Sequence, residues 1–184
     1  MSRDDSDQTD EQLMIRLGNG DGTALRPLVD RYQTQLYLYL YRMLNGNFAA
    51  AQDGVQEAFL RLINQRSYQP SRPFRPWLYR VATNVATDYL RRTQPVPLND
   101  SFDRADTALG PEATAELSER AETVRTVLDT LPYQLRSVLI LRFYQDLSLQ
   151  EIANALDIPL GTVKSRLFTA ARRLRERMAA EVTS

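Results

Sequence analysis

The chain has 184 residues, 43% of them hydrophobic, enough for one or two small domains with modest cores. It holds no Cys and no His, which excludes disulfides, thiol nucleophiles, zinc sites built on those ligands and the usual general base of hydrolases. The formal net charge is zero, but acids gather in the first eleven residues and in 99–122, and cations in 61–92 and 164–177, so the neutral total hides two basic patches suited to phosphate.

Residues 1–9 are polar and acidic and read as disordered. A short amphipathic helix is expected over 10–17, with Leu13, Met14 and Leu17 inward. Asn19-Gly20-Asp21-Gly22 marks a turn. A long helix follows over 23–44, its apolar period carried by Leu25, Leu28, Val29, Tyr32, Leu36, Leu40 and Met43. Tyr37, Tyr39 and Tyr41 read as core and flank packing. Asn45-Gly46 ends that helix.

A third helix is expected from about Phe48 to Arg66, burying Val55, Ala58, Phe59, Leu62 and Ile63. Asp53, Gln56, Glu57 and Arg61 lie largely off that side. The two carboxylates one turn apart suit a basic partner, although by composition alone an ordinary solvated face is the favoured reading of them. A fourth helix spans 74–92, with Pro76 tolerated in its first turn. Leu78, Val81, Ala82, Val85 and Tyr89 phase inward, while Trp77, Arg80, Asn84, Thr87, Asp88 and Arg91 form a stripe on the other side. Such a stripe suits unpaired bases through stacking, edge hydrogen bonds and phosphate contacts. Core packing for Trp77 and plain solvation for Arg80 and Arg91 stand as the alternatives.

Pro95, Pro97, Gly110 and Pro111 among scattered acids mark a flexible linker, placed at 95–112 between domains at 10–94 and 113–180. Helices resume over 112–129 and from Leu131-Pro132, the latter carrying Leu135, Val138, Leu139, Leu141 and Phe143 inward. Next comes SLQEIANALDIPLGTVKSRLFTAARRL, residues 148–174. Ser148 and Glu151 form a capping box, Leu149, Ile152, Ala153 and Leu156 line one face, and Pro159 breaks the helix. Thr162 is expected to cap a second helix that buries Val163, Leu167, Ala170, Ala171, Leu174 and Met178. Ser165, Thr169 and Arg172 fall opposite, with Thr162, Lys164, Arg166, Phe168 and Arg173 on the flanks. This is a helix-turn-helix pattern, whose second helix enters the DNA major groove. No strand pattern, internal repeat or phosphate-binding glycine loop is present. The fold class is all-α: two small helical domains, the second a winged-helix-like helix-turn-helix.

Three stretches resemble the bacterial extracytoplasmic-function (ECF) sigma factors. DGVQEAFLRL, 53–62, is similar to the D-x-x-Q-E-x-F-x-R/K pattern of the second conserved region. FRPWLYRVATNVATDYLRR, 74–92, resembles the segment that melts and recognises the minus-ten element. LPYQLRSVLILRFYQDLSLQEIANALDIPLGTVKSRL, 131–167, resembles region four. Two residues depart from the pattern: Gly54 stands where a larger apolar residue is common, and Asp157 stands where helix-turn-helix turns commonly have glycine.

The resemblance implies a non-catalytic protein without metal or cofactor that binds core RNA polymerase, carries it to promoters and opens the DNA. It implies that Asp53, Gln56, Glu57 and Arg61 dock on the polymerase clamp. Arg72, Phe74, Arg75, Trp77, Arg80, Asn84, Asp88 and Arg91 then capture the single-stranded minus-ten element, with Asn84 on a flipped base. Thr162, Lys164, Ser165, Arg166, Phe168 and Thr169 read the minus-thirty-five duplex, and Arg172 and Arg173 anchor phosphates. The linker would run near the RNA exit path. An anti-sigma factor is the further partner implied, the two domains being able to fold together and hide these faces. A cytoplasmic site is expected, since no apolar run approaches the roughly 20 residues that span a bilayer. The competing readings are a stand-alone helix-turn-helix regulator, a protein-interaction adaptor and an enzyme, the last disfavoured by the missing His, Cys and phosphate loop.

Overall fold

The computed structural model describes residues 8–64, 68, 71–93 and 128–182, with side chains to Arg177. The linker and the helix expected from Glu112 lie outside them, apart from the end of that helix at Leu128 and Asp129. All regular structure in the described residues is helical: α1 (Asp10–Gly18), α2 (Leu25–Met43), α3 (Phe48–Ile63), α4 (Phe74–Thr93), α5 (Tyr133–Phe143), α6 (Leu149–Leu156) and α7 (Leu160–Val182). No strand stands beside the helix-turn-helix there to form a wing.

Local chemistry sets the boundaries. Thr9 caps α1 in a reciprocal box with Gln12, its hydroxyl accepting the Gln12 amide at 3.3 Å and its own amide donating to Gln12 Oε1 at 2.9 Å. The Asp21 carboxylate accepts the Thr23 amide at 3.0 Å and holds Gly22–Ala24 in a 3-10 turn. The long helix therefore starts at Leu25, two residues later than its apolar period suggests. It closes where Asn45 and Gly46 both take positive φ, 57° and 73°, as the Asn-Gly pair predicts. Asn47 caps α3 through the Ala50 amide. The last turn expected for α3, at 65–66, lies outside the described residues.

α2, α3 and α4 pack on one another around Leu36, Tyr39, Leu40, Phe59, Leu62, Leu78 and Ala82, all buried. Gly54 is buried at their junction. A Cβ there would stand 3.1 Å from Leu40 Cδ1 and 3.6 Å from Val85 Cγ1, so the missing side chain lets three helices close up. The glycine is thus a packing residue rather than a weak point in the helix. Ile63, expected inside, is 46% exposed, because the buried side of α3 turns through Ala50, Ala51, Gly54 and Ala58 instead. Phe143, also expected inside, is 67% exposed where α5 ends.

In the second unit α5 is buried from Leu135 to Leu141 around its whole circumference, because α7 lies on one side and α2 on another. α6 packs between α4 and α7. The capping box forms as expected: the Ser148 hydroxyl accepts the Glu151 amide at 3.2 Å and the Ser148 amide donates to Glu151 Oε2 at 2.8 Å. Thr162 is not the cap of the next helix. α7 starts at Leu160, and the Pro159 carbonyl accepts the Thr162 and Val163 amides at 2.9 and 3.1 Å. Pro159, with no amide hydrogen to leave unpaired, suits that entry better than an interior place. The main apolar core runs without interruption from Leu13 in α1 to Val163 in α7. A smaller cluster joins Leu128, Leu131, Leu135, Leu139 and Ala170.

Candidate nucleic-acid interface

Three polar faces carry the residues nominated by the sequence. On α7, Val163 and Ala170 are wholly buried and turn the opposite side outward. Lys164, Ser165, Phe168 and Arg172 are exposed, Phe168 at 71%, while Thr162, Arg166, Thr169 and Arg173 are half-buried on the flanks. Ser165 bonds back to the Thr162 carbonyl at 3.0 Å, and Arg172 lies 3.8 Å from Glu176 one turn on. The face presents the donors that reach base edges and phosphates.

On α3, Asp53 and Gln56 are exposed. Glu57 is half-buried and held by Arg61, Nε to Oε1 at 2.7 Å. Arg61 also reaches Asp88 of α4 at 3.2 Å. A residue nominated for docking and one nominated for DNA thus pair across two helices. The hydrogen bond to Glu57, ahead of that to Asp88, raises the Arg61 guanidinium above its ordinary value.

The α4 stripe is built differently. Glu11 of α1 accepts the Phe74 amide at 2.9 Å, a carboxylate at the positive end of α4 supplied from 63 residues away. Phe74 itself is wholly buried, edge-on to Tyr32 at 5.4 Å. Trp77 is half-buried, 5.8 Å from Phe74 and 5.2 Å from Tyr68. Arg72, Asn84 and Arg91 are exposed. Arg75 and Arg80 are half-buried and both engage the second unit. Arg75 donates to the Gln145 carbonyl, and Arg80 pairs with Asp157 at 2.8 Å.

Asp157 sits at φ 55°, ψ 46°, the left-handed conformation a glycine would take in a turn. Its side chain thus fills a glycine position and adds a charge facing Arg80.

Residues 28–96 match the Sigma-70 region 2 family and residues 127–176 match Sigma-70, region 4. The ECF RNA polymerase sigma factor SigW of Bacillus subtilis is 37% identical over 172 residues, covering 86% of this chain and 91% of that protein. The ECF RNA polymerase sigma-E factor of Haemophilus influenzae is 33% identical, covering 88% and 91%. The chain belongs to the ECF sigma factors. Such factors are non-catalytic. This sigma factor binds core RNA polymerase and promoter DNA to initiate transcription. In fold it is similar to CnrH, solved with the cytosolic domain of CnrY, at TM-score 0.71 and 24% identity over 93% of this chain and 97% of that one. RpoE of Bartonella quintana, solved with the anti-sigma factor NepR, gives TM-score 0.66 at 21% identity, over 84% and 96%.

Three residues of this sigma factor were missed by reading the sequence. Tyr79 is wholly buried and donates its hydroxyl to the Gln145 side chain. Burial pushes its phenol up to about 12. Its signal is a second small-and-apolar line on α4, Tyr79, Ala82 and Ala86, which marks a helix covered on two sides. Arg136 is 4% exposed and donates to the Met43 carbonyl at 3.0 Å, the Asn45 side chain, and the Asp129 and Leu131 carbonyls at 2.9 Å each. Burial lowers its guanidinium despite Asp129 nearby. Gln145, a buried polar residue in a loop, has no signal in the sequence.

Proposed function

We propose that this sigma factor docks on core polymerase through the α3 face, reads the minus-thirty-five duplex with α7 and captures the minus-ten strand with α4, the units dividing as 10–94, 95–112 and 113–180. The observation that carries the reading is α7, where Lys164, Ser165, Phe168 and Arg172 stand exposed over a helix anchored by buried Val163 and Ala170. Asp53 and Gln56 supply the acidic docking face, with Glu57 and Arg61 behind them.

Opening a duplex without nucleotide hydrolysis requires that the opened strand be bound better than the closed one. Arg72, Asn84 and Arg91 are exposed, and in this reading they supply that preference, Asn84 at a flipped base and the arginines at phosphates. Trp77 lies beside them as a stacking surface, and Phe74, beneath it, supports it. The protein acts in the cytoplasm, in a stress or envelope response. No helix among the described residues is long and apolar enough to cross a membrane. CnrH was solved with the cytosolic domain of CnrY and RpoE with the anti-sigma factor NepR, and an anti-sigma factor is the corresponding partner here.

The test is run-off transcription with sigma-free core polymerase on the promoter upstream of its own gene. One discrete start is expected, lost on Asn84→Ala and weakened by Asp53→Arg. No initiation, with tight duplex binding in the absence of polymerase, points instead to a stand-alone regulator.

A further inference from the structure

α4 begins without the chemistry that ordinarily starts a helix. Pro73 stands immediately before it and offers no side-chain acceptor for a first-turn amide. No acidic residue lies in the first turn, and Arg72 and Arg75 set cations at the positive end of the helix. The missing carboxylate comes from α1, where half-buried Glu11 accepts the Phe74 amide at 2.9 Å. Asp10 beside it holds the same residue by another route. Its carboxylate accepts the Tyr32 hydroxyl and pairs with Arg31 at 2.7 Å, and the Tyr32 ring meets Phe74 edge-on at 5.4 Å. The buried Phe74 ring lies 5.8 Å from Trp77 and 6.2 Å from Tyr68, and the Tyr68 hydroxyl donates to the Arg72 carbonyl at 3.1 Å. The first turn of α1 therefore fixes the point from which Arg72, Tyr68 and Trp77 take their places.

We propose that Glu11 is a positioning residue for capture of the minus-ten strand: by closing the start of α4 from α1 it sets Arg72 and Trp77 where the strand meets them, without touching DNA itself. The inference rests on the assignment of α4 to that strand. Glu11 lies outside residues 28–96, which match the region 2 family, so it is no part of that match.

The sign of its effect separates positioning from plain charge. A carboxylate near a phosphate-binding surface repels the strand, so its removal raises affinity if the field alone matters. Positioning predicts the reverse. Holoenzyme is assembled from sigma-free core polymerase and the full chain, parent or Glu11→Ala. Binding of a fluorescent single-stranded minus-ten oligonucleotide is measured beside binding of the minus-thirty-five duplex. Run-off transcription is compared on a fully paired template and on one mismatched across the minus-ten element. Strand affinity is expected to fall about fivefold, the factor of a lost helix cap expressed as a smaller competent fraction. Duplex affinity stays unchanged. Run-off falls on the paired template and recovers on the mismatched one at saturating holoenzyme, whereas a loss of folded protein lowers both alike.

Pro73→Ser in the Glu11→Ala chain supplies a local, uncharged cap and is expected to restore most of the strand affinity. Where Glu11→Ala gives no cooperative melt, Glu11→Gln carries the test. It keeps an acceptor and loses the charge, and a fall of about twofold is expected. Unchanged or raised strand affinity, an equal loss on both templates, or no recovery with Pro73→Ser overturns the positioning role. Asn84→Ala, run in parallel, locates the fault. Where it weakens strand binding and the Glu11 variants do not, the positioning role alone fails. Where Asn84→Ala leaves strand binding intact, the assignment of α4 beneath it fails.

Discussion

α4 and α7 are both long helices with one apolar side and one side bearing cations, yet they meet solvent differently. On α7 the polar side is open, with Phe168 and Arg172 exposed to solvent and Arg172 beside Glu176 of its own helix. On α4 the same kind of side is half taken: Arg75 and Arg80 are engaged by the loop and turn of the second unit, while Asn84 and Arg91 remain exposed. Helical period therefore reports which side of a helix is polar, and leaves open whether another part of the chain sits on it. The covering of α4 depends on a few identifiable groups, and each offers a way to change the contrast between the two helices.

The largest effect belongs to Arg136. Its guanidinium donates to carbonyls in both units, at Met43 and at Asp129 and Leu131, with almost no exposure. Arg136→Met leaves those acceptors inside the protein without their donor. A loss of about 3–5 kcal/mol is expected, the range for removing one partner of a buried charged cluster. Urea unfolding followed by circular dichroism measures it. A loss below about 1 kcal/mol would mean that Arg136 is an ordinary surface cation and does not tie the units together.

Gly54 sharpens the contrast from within the first unit. Gly54→Val drives a branched side chain against Leu40 and Val85, where a Cβ already meets Leu40 at 3.1 Å. Overpacking of this kind costs about 1–3 kcal/mol. Gly54→Ala is expected near neutral, because a helix-propensity gain of about 1 kcal/mol opposes the tight contact. The damage falls on α4, which rests on that junction, and duplex binding through α7 survives. Stability equal to the parent in Gly54→Val would show that α3 and α4 slide apart freely.

The chemistry of the two regions also decided how legible they were. Capping residues, turn residues and apolar period gave the described helices of both units, and the family motifs marked the two helices nominated for DNA. What stayed hidden was long-range. Glu11 at the start of α4, Arg136 on the Met43 carbonyl and Tyr79 on Gln145 each join residues more than 60 positions apart, and a pairing of that kind leaves no local period. The misplaced cap at Thr162 had a local cause: the Pro159 carbonyl satisfies the amides that a threonine hydroxyl was expected to take. Ile63 and Phe143 both lie at helix ends, where the period is obeyed and no neighbour remains to bury against. Asp157 was legible as a departure from glycine, and its role facing Arg80 was not.

The smallest predicted effect concerns α6, the helix that covers α4. The Ser148 hydroxyl and amide hold the Glu151 carboxyl below its ordinary value of 4.5, with Arg75 adding to the same shift. A carboxyl with a lowered folded pKa contributes stability that is present above the unfolded value and lost as pH falls through the folded one. Ser148→Ala should therefore cost about 1 kcal/mol near neutral pH, and the gap to the parent should narrow as pH drops below the ordinary carboxyl value. Glu151→Gln, which keeps an acceptor without a charge, removes that narrowing, so the difference between its melting curve and the parent's isolates this carboxyl from the many others. Equal acid slopes in parent and Glu151→Gln would show that the cap does not titrate with α6, and acid would then loosen the cover on α4 through other groups.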